Sequence, residues 1–211
     1  MTFVHFCCYD GTMRFHEPLD DILGSRIKVR ILRILHRTRG QFTGREISRL
    51  VGYSPTHTIS TLRDLESEGL VVSQRAGKTD LFGLNERSSA VEGVLDPVLR
   101  WEQNLYKELA GIFEEQLGKR LLEVRLFGSV ARGEEQQDSD VDLLLVVRDD
   151  NDIESTEKDA ASASIEAGNH FGAPVVPFVV TAGEYDKKVK SKRGFWKEIP
   201  ESSIPIYKRS K

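Results

Sequence analysis

Cysteine is nearly absent from this chain: two in 211 residues, Cys7 and Cys8, side by side. Neighbouring cysteines seldom bridge each other, and no CxxC or Cys/His spacing accompanies them. Neither a disulfide framework nor a zinc site is expected. The histidines (His5, His16, His36, His57, His170) are scattered, which excludes a structural metal site built on them. No apolar run approaches the roughly 20 residues of a membrane span. The N-terminus lacks the charged, apolar and small-residue regions of a signal peptide, so no membrane partner is expected and a cytoplasmic location is the default.

What is present is ordinary in amount and uneven in placement. The length allows one or two domains. Residues 1–85 hold 12 Lys/Arg against 9 Asp/Glu, a net +3, and residues 86–211 hold 18 against 24, a net −6. Between Arg26 and Arg63 there are nine basic residues and a single acid, Glu46. The pattern is that of a basic module joined to an acidic one.

Residues 1–23 show no clear period and read as an arm. After Gly24-Ser25, the residues Ile27, Ile31, Ile34 and Leu35 form one apolar face of a first helix, which Gly40 ends. Thr43 and Glu46 have the spacing of a capping box. They open a second helix that is expected to bury Ile47, Leu50 and Val51. Ser54 caps a third helix with Pro55 in its first position. That helix is expected to bury Ile59, Leu62 and Leu65. Two strand-like runs follow, Leu70–Arg75 and Asp80–Leu84. Three helices and a hairpin over residues 24–85 resemble the winged helix-turn-helix of prokaryotic transcriptional regulators, most clearly in the run Ser54–Val71. The resemblance implies DNA as a partner. His57, Ser60 and Thr61 are expected on the outward face of the third helix, towards a major groove. Arg63, Arg75 and Lys78 lie close enough to reach phosphates. Arg26, Arg30, Arg33 and Arg37 form a basic stripe on the first helix, suited either to phosphate or to plain solvation.

Residues 86–118 read as a helical connector. Asp96-Pro97 has the look of a new cap and first turn. The helix beyond it carries Val98, Trp101, Leu105, Leu109, Ile112 and Phe113. This stripe suits packing within the chain or pairing in a homodimer.

The strongest signal lies further on. The strand-like run Leu121–Phe127 stops at Gly128-Ser129. A polar loop leads to Asp138-Ser139-Asp140-Val141-Asp142 and a second apolar run. Strand period two puts Asp140 and Asp142 on one side. Two adjacent carboxylates repel unless a cation neutralises them, and Mg²⁺ held between carboxylates and phosphates answers that need. Gly128 permits close backbone approach, and Ser129 offers a hydroxyl and an N–H at a helix start, a place suited to phosphate. Asp138 reads as a turn residue. This stretch resembles the nucleotidyltransferase superfamily of the DNA polymerase beta type, above all its minimal prokaryotic members. The matching residues are Gly128, Ser129, Ala131-Arg132-Gly133, Ser139-Asp140 and Asp142. The expected fold is therefore a two-domain α+β and α/β chain: the winged helix-turn-helix, the helical connector, and a nucleotidyltransferase-type mixed sheet with helices over residues 119–211.

The resemblance implies transfer of a nucleoside monophosphate from a nucleoside triphosphate, ATP first among them, to a nucleic-acid or protein hydroxyl. Asp140 and Asp142 would be the catalytic metal ligands for Mg²⁺ or Mn²⁺. Gly128 and Ser129 would hold phosphates, with Arg132 either joining them or pairing with Glu134 or Glu135. A departure sits beside the match. Active members carry a third carboxylate on the next strand, here Pro174–Thr181, and this strand has no acid; the expected position falls near Pro177. Two readings remain open. One is a Mg²⁺-dependent nucleotidyltransferase with a DNA-binding domain. The other is a nucleotide-sensing regulator with weak or no turnover, akin to antitoxin-type members.

Overall fold

The computed structural model describes residues 25–148 and 153–210. The arm read over residues 1–23 lies outside them. The chain divides into two compact units that meet between Asn104 and Leu105, inside one long helix. The architecture is α+β, with a helical N-terminal region and a mixed sheet with helices in the C-terminal one.

The N-terminal unit runs α1 (Arg26–Thr38), β1 (Phe42–Thr43), α2 (Gly44–Val51), α3 (Pro55–Ser67), β2 (Val71–Ala76) and β3 (Thr79–Leu84). The strands form an antiparallel sheet of order β1-β3-β2. Local chemistry sets the boundaries. Thr43 and Glu46 close the capping box at the start of α2, and Gly52 ends that helix in the left-handed conformation. Ser54 caps α3 with Pro55 at its start. Ile31, Leu35, Ile47, Leu62 and Leu65 are fully buried together with Val71 and Phe82. Each such side chain contributes about 1.5–3 kcal/mol of burial.

Several expectations for this unit are corrected. Leu50 and Ile59, expected inside, are exposed, although Ile59 still lies against Gly44. Thr58 and Thr61 are buried instead. The inward face of α3 therefore runs through Thr58, Thr61, Leu62 and Leu65. The basic stripe of α1 is solvated only in part: Arg26 and Arg37 are exposed, and Arg30 and Arg33 are not. Arg33 is buried against Glu102 at 2.7 Å, and Arg30 reaches the Val51 carbonyl and the Tyr53 ring.

The connector does not restart at Asp96-Pro97. Val91–Leu95 is a turn of π-helix, and the Asp96 N–H reaches the Val91 carbonyl. It runs straight into α4 (Asp96–Leu117). Pro97 lacks an N–H, and the wider turn before it accommodates that defect. Asp96 does not cap. Its carboxylate accepts from His36, Arg39 and Arg100 at 2.8, 2.6 and 2.7 Å. Leu105, Leu109 and Phe113 are fully buried within this one chain, whereas Val98, Trp101 and Ile112 are half-buried.

The C-terminal unit continues from the second half of α4 through β4 (Leu121–Phe127), α5 (Gly128–Arg132), β5 (Val141–Val147), α6 (Ile153–Phe171), β6 (Val175–Thr181), α7 (Ala182–Ser191), α8 (Phe195–Ser202) and β7 (Ile204–Lys208). The sheet order is β6-β5-β4-β7, with β5 and β6 parallel and the other pairs antiparallel. β5 is central and nearly all buried, as its unbroken apolar run requires. β6 is an edge strand, which tolerates Pro177 because one side of it carries no ladder. Among the described residues no helix is long and apolar enough to cross a membrane.

Candidate functional site

The β4–α5 turn brings Gly128 onto the first residues of β5. Gly128 has φ +76°, and a Cβ placed on it would lie 2.1 Å from Asp142 Oδ2. Only glycine permits both the backbone conformation and the close approach. Gly128 is thus fixed by the carboxylate it shelters. α5 is a single short turn that ends at Gly133, whose N–H returns to the Val130 carbonyl. Ser129 sits half-buried within that turn.

Asp140 is exposed just before β5, and Asp142 is half-buried in its second position. The site therefore lies at the end of a central strand, not at a sheet edge. Burial pushes the Asp142 carboxyl above the usual range, the neighbouring charge of Asp140 pushes it further, and Arg132 opposes both. The burial has an identifiable source. Phe127 pairs with Asp142 from β4, and Val176 pairs with it from β6. Partners across a sheet share a face, so the carboxylate stands between two apolar side chains. Phe195 at the start of α8 meets Phe127 with ring centroids 5.1 Å apart.

Neither aspartate forms an ion pair among the described residues, and no third His, Cys, Asp or Glu joins them in a metal-binding group there. The donor set fits a divalent cation that takes its remaining ligands from phosphates and water: two hard, like-charged oxygen donors, of which Asp142 is partly withdrawn from solvent. Arg132 bonds Glu134 at 2.7 Å on the surface, so of the two roles open to it, the salt bridge is the one present. Asp138 lies exposed in the loop before Asp140.

The strand without an acid, β6, runs beside Asp142. Pro177 pairs with Leu143, and the position beside Asp142 is Val176. Val176 and Phe178 are 45% and 46% exposed, so the face beside the carboxylate is apolar and open. Sequence reasoning missed Phe127 and Val176 as the cross-strand partners of Asp142, and Phe195 as the ring that packs on Phe127.

In the N-terminal unit, His57, Ser60 and Lys78 are exposed. Thr61 is withdrawn from the outward set: it is buried, and its hydroxyl donates to the His57 carbonyl. Arg63 bonds Glu66 and Asp80 and lies over the Phe82 ring, while Arg75 bonds the other oxygen of Asp80. The hydrogen bond that Arg63 donates to Glu66 raises the Arg63 pKa, and the hydrogen bond donated by Arg75 lowers that of Asp80. These two arginines are held in a local network on the wing.

Comparison with known proteins bears on the C-terminal unit. No curated protein matches the chain. Several solved structures overlap it in part, three of them as follows. A toxin–antitoxin with AMP-PNP is 15% identical, with 49% of this chain and 73% of that one covered and a TM-score of 0.35. A candidate nucleotidyltransferase from Sulfolobus solfataricus is 24% identical, with coverage of 60% and 94% and a TM-score of 0.30. The archaeal chromatin protein TrmBL2 is 17% identical, with coverage of 86% and 76% and a TM-score of 0.28. The family model of the nucleotidyltransferase domain matches residues 106–199, a span that holds Gly128, Ser129, Asp140 and Asp142. The C-terminal unit is a nucleotidyltransferase-like domain.

Proposed function

We propose that this protein is a nucleotide-responsive DNA-binding regulator whose nucleotidyltransferase-like domain binds a nucleoside triphosphate, ATP first among candidates, with little or no turnover. The observation that carries this reading is the pairing of Asp142 with Val176. In this reading, binding rests on the two aspartates and the Gly128-Ser129 turn. Turnover needs a group that takes the acceptor's proton, and the open position beside Asp142 holds a valine. Loss of a general base costs about 10²–10⁴ in rate.

In this reading Asp140 and Asp142 hold Mg²⁺ or Mn²⁺, and Gly128 and Ser129 present backbone N–H groups and a hydroxyl to the phosphates. The cation, when bound, supplies positive charge against the phosphate oxygens. Arg132 reaches a phosphate only by giving up Glu134. The N-terminal unit acts as a winged helix-turn-helix, with α3 as the helix that meets DNA and β2–β3 as the wing. His57 and Ser60 face the groove and Lys78 meets phosphate, with Arg63 and Arg75 shaping the wing through Asp80.

The test is calorimetry with ATP and Mg²⁺ on the wild type and an Asp140→Asn/Asp142→Asn variant, beside transfer assays with α-labelled nucleoside triphosphates. Heat of binding in the wild type alone, with no transfer of label, is expected. Absence of binding in the wild type would overturn the reading. The completeness of the Gly128, Ser129, Asp140 and Asp142 set favours a second reading, a Mg²⁺-dependent nucleotidyltransferase acting on a nucleic-acid or protein hydroxyl. Label transfer by the wild type would establish it. A Val176→Asp variant that gains transfer would show that this one position sets the limit.

A further inference from the structure

The C-terminal unit is acidic overall, yet residues 187–197 carry six basic side chains (Lys187, Lys188, Lys190, Lys192, Arg193 and Lys197) and no acid. Asp186 and Glu198 bound the run. None of the six forms an ion pair among the described residues, and all but Lys188 are exposed. In contrast, Arg120, Arg125 and Arg209 of the same unit are each bonded to a carboxylate. The helix dipole accounts for lysines in the last turn of α7. It does not account for Lys192 and Arg193 beyond that helix, or for Lys197 near the start of α8.

Aromatic rings interrupt this basic run. Phe195 is 42% exposed, and Phe178 on β6 is 46% exposed. Their centroids are 6.5 Å apart, and Trp196 lies 6.0 Å from Phe178. Lys188 stands 5.0 Å over Trp196 and 5.9 Å over Phe178. The cluster is therefore a half-open aromatic shelf bordered by unpaired cations. It reaches the site already described, because Phe195 packs on Phe127, the cross-strand partner of Asp142.

We propose that the α7–α8 segment binds single-stranded nucleic acid, with Lys187, Lys190, Lys192, Arg193 and Lys197 on the phosphates and bases stacked on Phe195 and Phe178. Six cations spread from one helix to the next exceed what the phosphates of one nucleotide can engage and suit a polymer of phosphates. The open rings select a single strand, whose bases expose their faces, over a duplex, whose bases hide theirs. The proposal depends neither on nucleotide binding nor on turnover at the aspartate pair.

The experiment is fluorescence anisotropy of the full chain with a labelled single-stranded oligonucleotide, titrated against salt in EDTA without nucleotide. A Lys187→Gln/Lys190→Gln/Lys192→Gln/Arg193→Gln variant removes exposed side chains only, so its thermal transition should match that of the wild type. Its log–log salt slope should be shallower by about 3, from about 0.7 per phosphate contact on single strands. Phe195→Leu should weaken binding about tenfold and leave the slope unchanged. Lys78→Gln on the wing should leave single-strand binding intact. The ATP-dependent heat of the quadruple variant should remain that of the wild type, which separates this proposal from the nucleotide reading. An unchanged slope in the quadruple variant would overturn the proposal. So would displacement of the oligonucleotide by polyglutamate as readily as by unlabelled strand, or loss of duplex binding in parallel with single-strand binding.

Discussion

Arg33 and Glu102 face each other at 2.7 Å with side chains 4% and 5% exposed, whereas Asp140 and Asp142 stand side by side with no cation bonded to either among the described residues. The two pairs illustrate a contrast between the units. In the N-terminal unit, charges are answered locally: Asp96 takes three donors, and Asp80 takes two arginines. In the C-terminal unit, answered charges range from the largely buried Arg125 with Glu123 to the exposed Arg132 with Glu134, and charges without an ion pair among the described residues stand at the end of β5 and along residues 187–197. A paired charge fixes structure. An unpaired one is available to a ligand, and at Asp142, where burial withdraws it from water, it is also held at an energetic cost.

The largest expected effect comes from breaking the answered half. Arg33→Met removes the nearer of the two arginines that Glu102 meets among the described residues and leaves Arg37 at 3.6 Å. Removing one partner of a buried pair costs about 3–5 kcal/mol, a large share of a domain's stability. Urea denaturation should show that loss, and Arg33→Met/Glu102→Leu should recover much of it. Full stability in the single variant would mean that the pair is not what orders this helix contact.

Next in size is Gly128→Ala. The left-handed backbone costs about 1–2 kcal/mol with a Cβ present, and the methyl would displace the Asp142 carboxylate. Gly172→Ala is the control: φ is +66° there, and nothing lies within 4 Å of the added atom. The two variants should lose comparable stability to strain, and only Gly128→Ala should lose the nucleotide-dependent heat. Equal nucleotide responses would sink the role given to the close approach.

Such contrasts mark what the sequence makes legible and what it hides. Gly128, Asp140 and Asp142 are readable because their constraints are local: a positive φ, a strand period, a spacing. The capping box of Thr43 with Glu46 and the start of α3 at Ser54-Pro55 are readable for the same reason. The inward face of α3 is not. Thr58 and Thr61 occupy core positions, and Thr61 satisfies its hydroxyl on its own helix, so apolar periodicity points one residue off, to Ile59. Arg33 looked like part of a surface stripe because its partner, Glu102, comes from a distant helix. The neighbour of Asp142 is Val176, not Pro177, because register is settled by sheet pairing across a crossover helix.

A smaller effect tests the answered half by pH. The Asp96 carboxyl is lowered first by its hydrogen bond with His36, then by those from Arg39 and by the charge of Arg100. A carboxyl lowered on folding contributes stability above its unfolded pKa and loses it as pH falls through the folded one. Asp96→Asn should therefore be less stable than the wild type at neutral pH, and the gap should close in acid. A gap that persists unchanged below pH 3 would assign the loss to packing instead of charge.

The smallest effect has the opposite sign. The Asp142 carboxyl is raised first by burial and then by Asp140. A carboxyl raised on folding weakens the fold above its folded pKa, where the charge is carried, and the penalty disappears as acid protonates it. Asp142→Asn should therefore stabilise the ligand-free protein at neutral pH. The gain should stay below about 1 kcal/mol, because the site is open enough for solvent to screen it. It should shrink towards zero on acidification, and added ATP with Mg²⁺ should reverse the order by stabilising the wild type alone. Equilibrium unfolding at neutral and acid pH reads both variants on one scale. If Asp142→Asn destabilised the fold as Asp96→Asn does, Asp142 would belong with the answered charges, and the contrast between the two units would fail where it matters most.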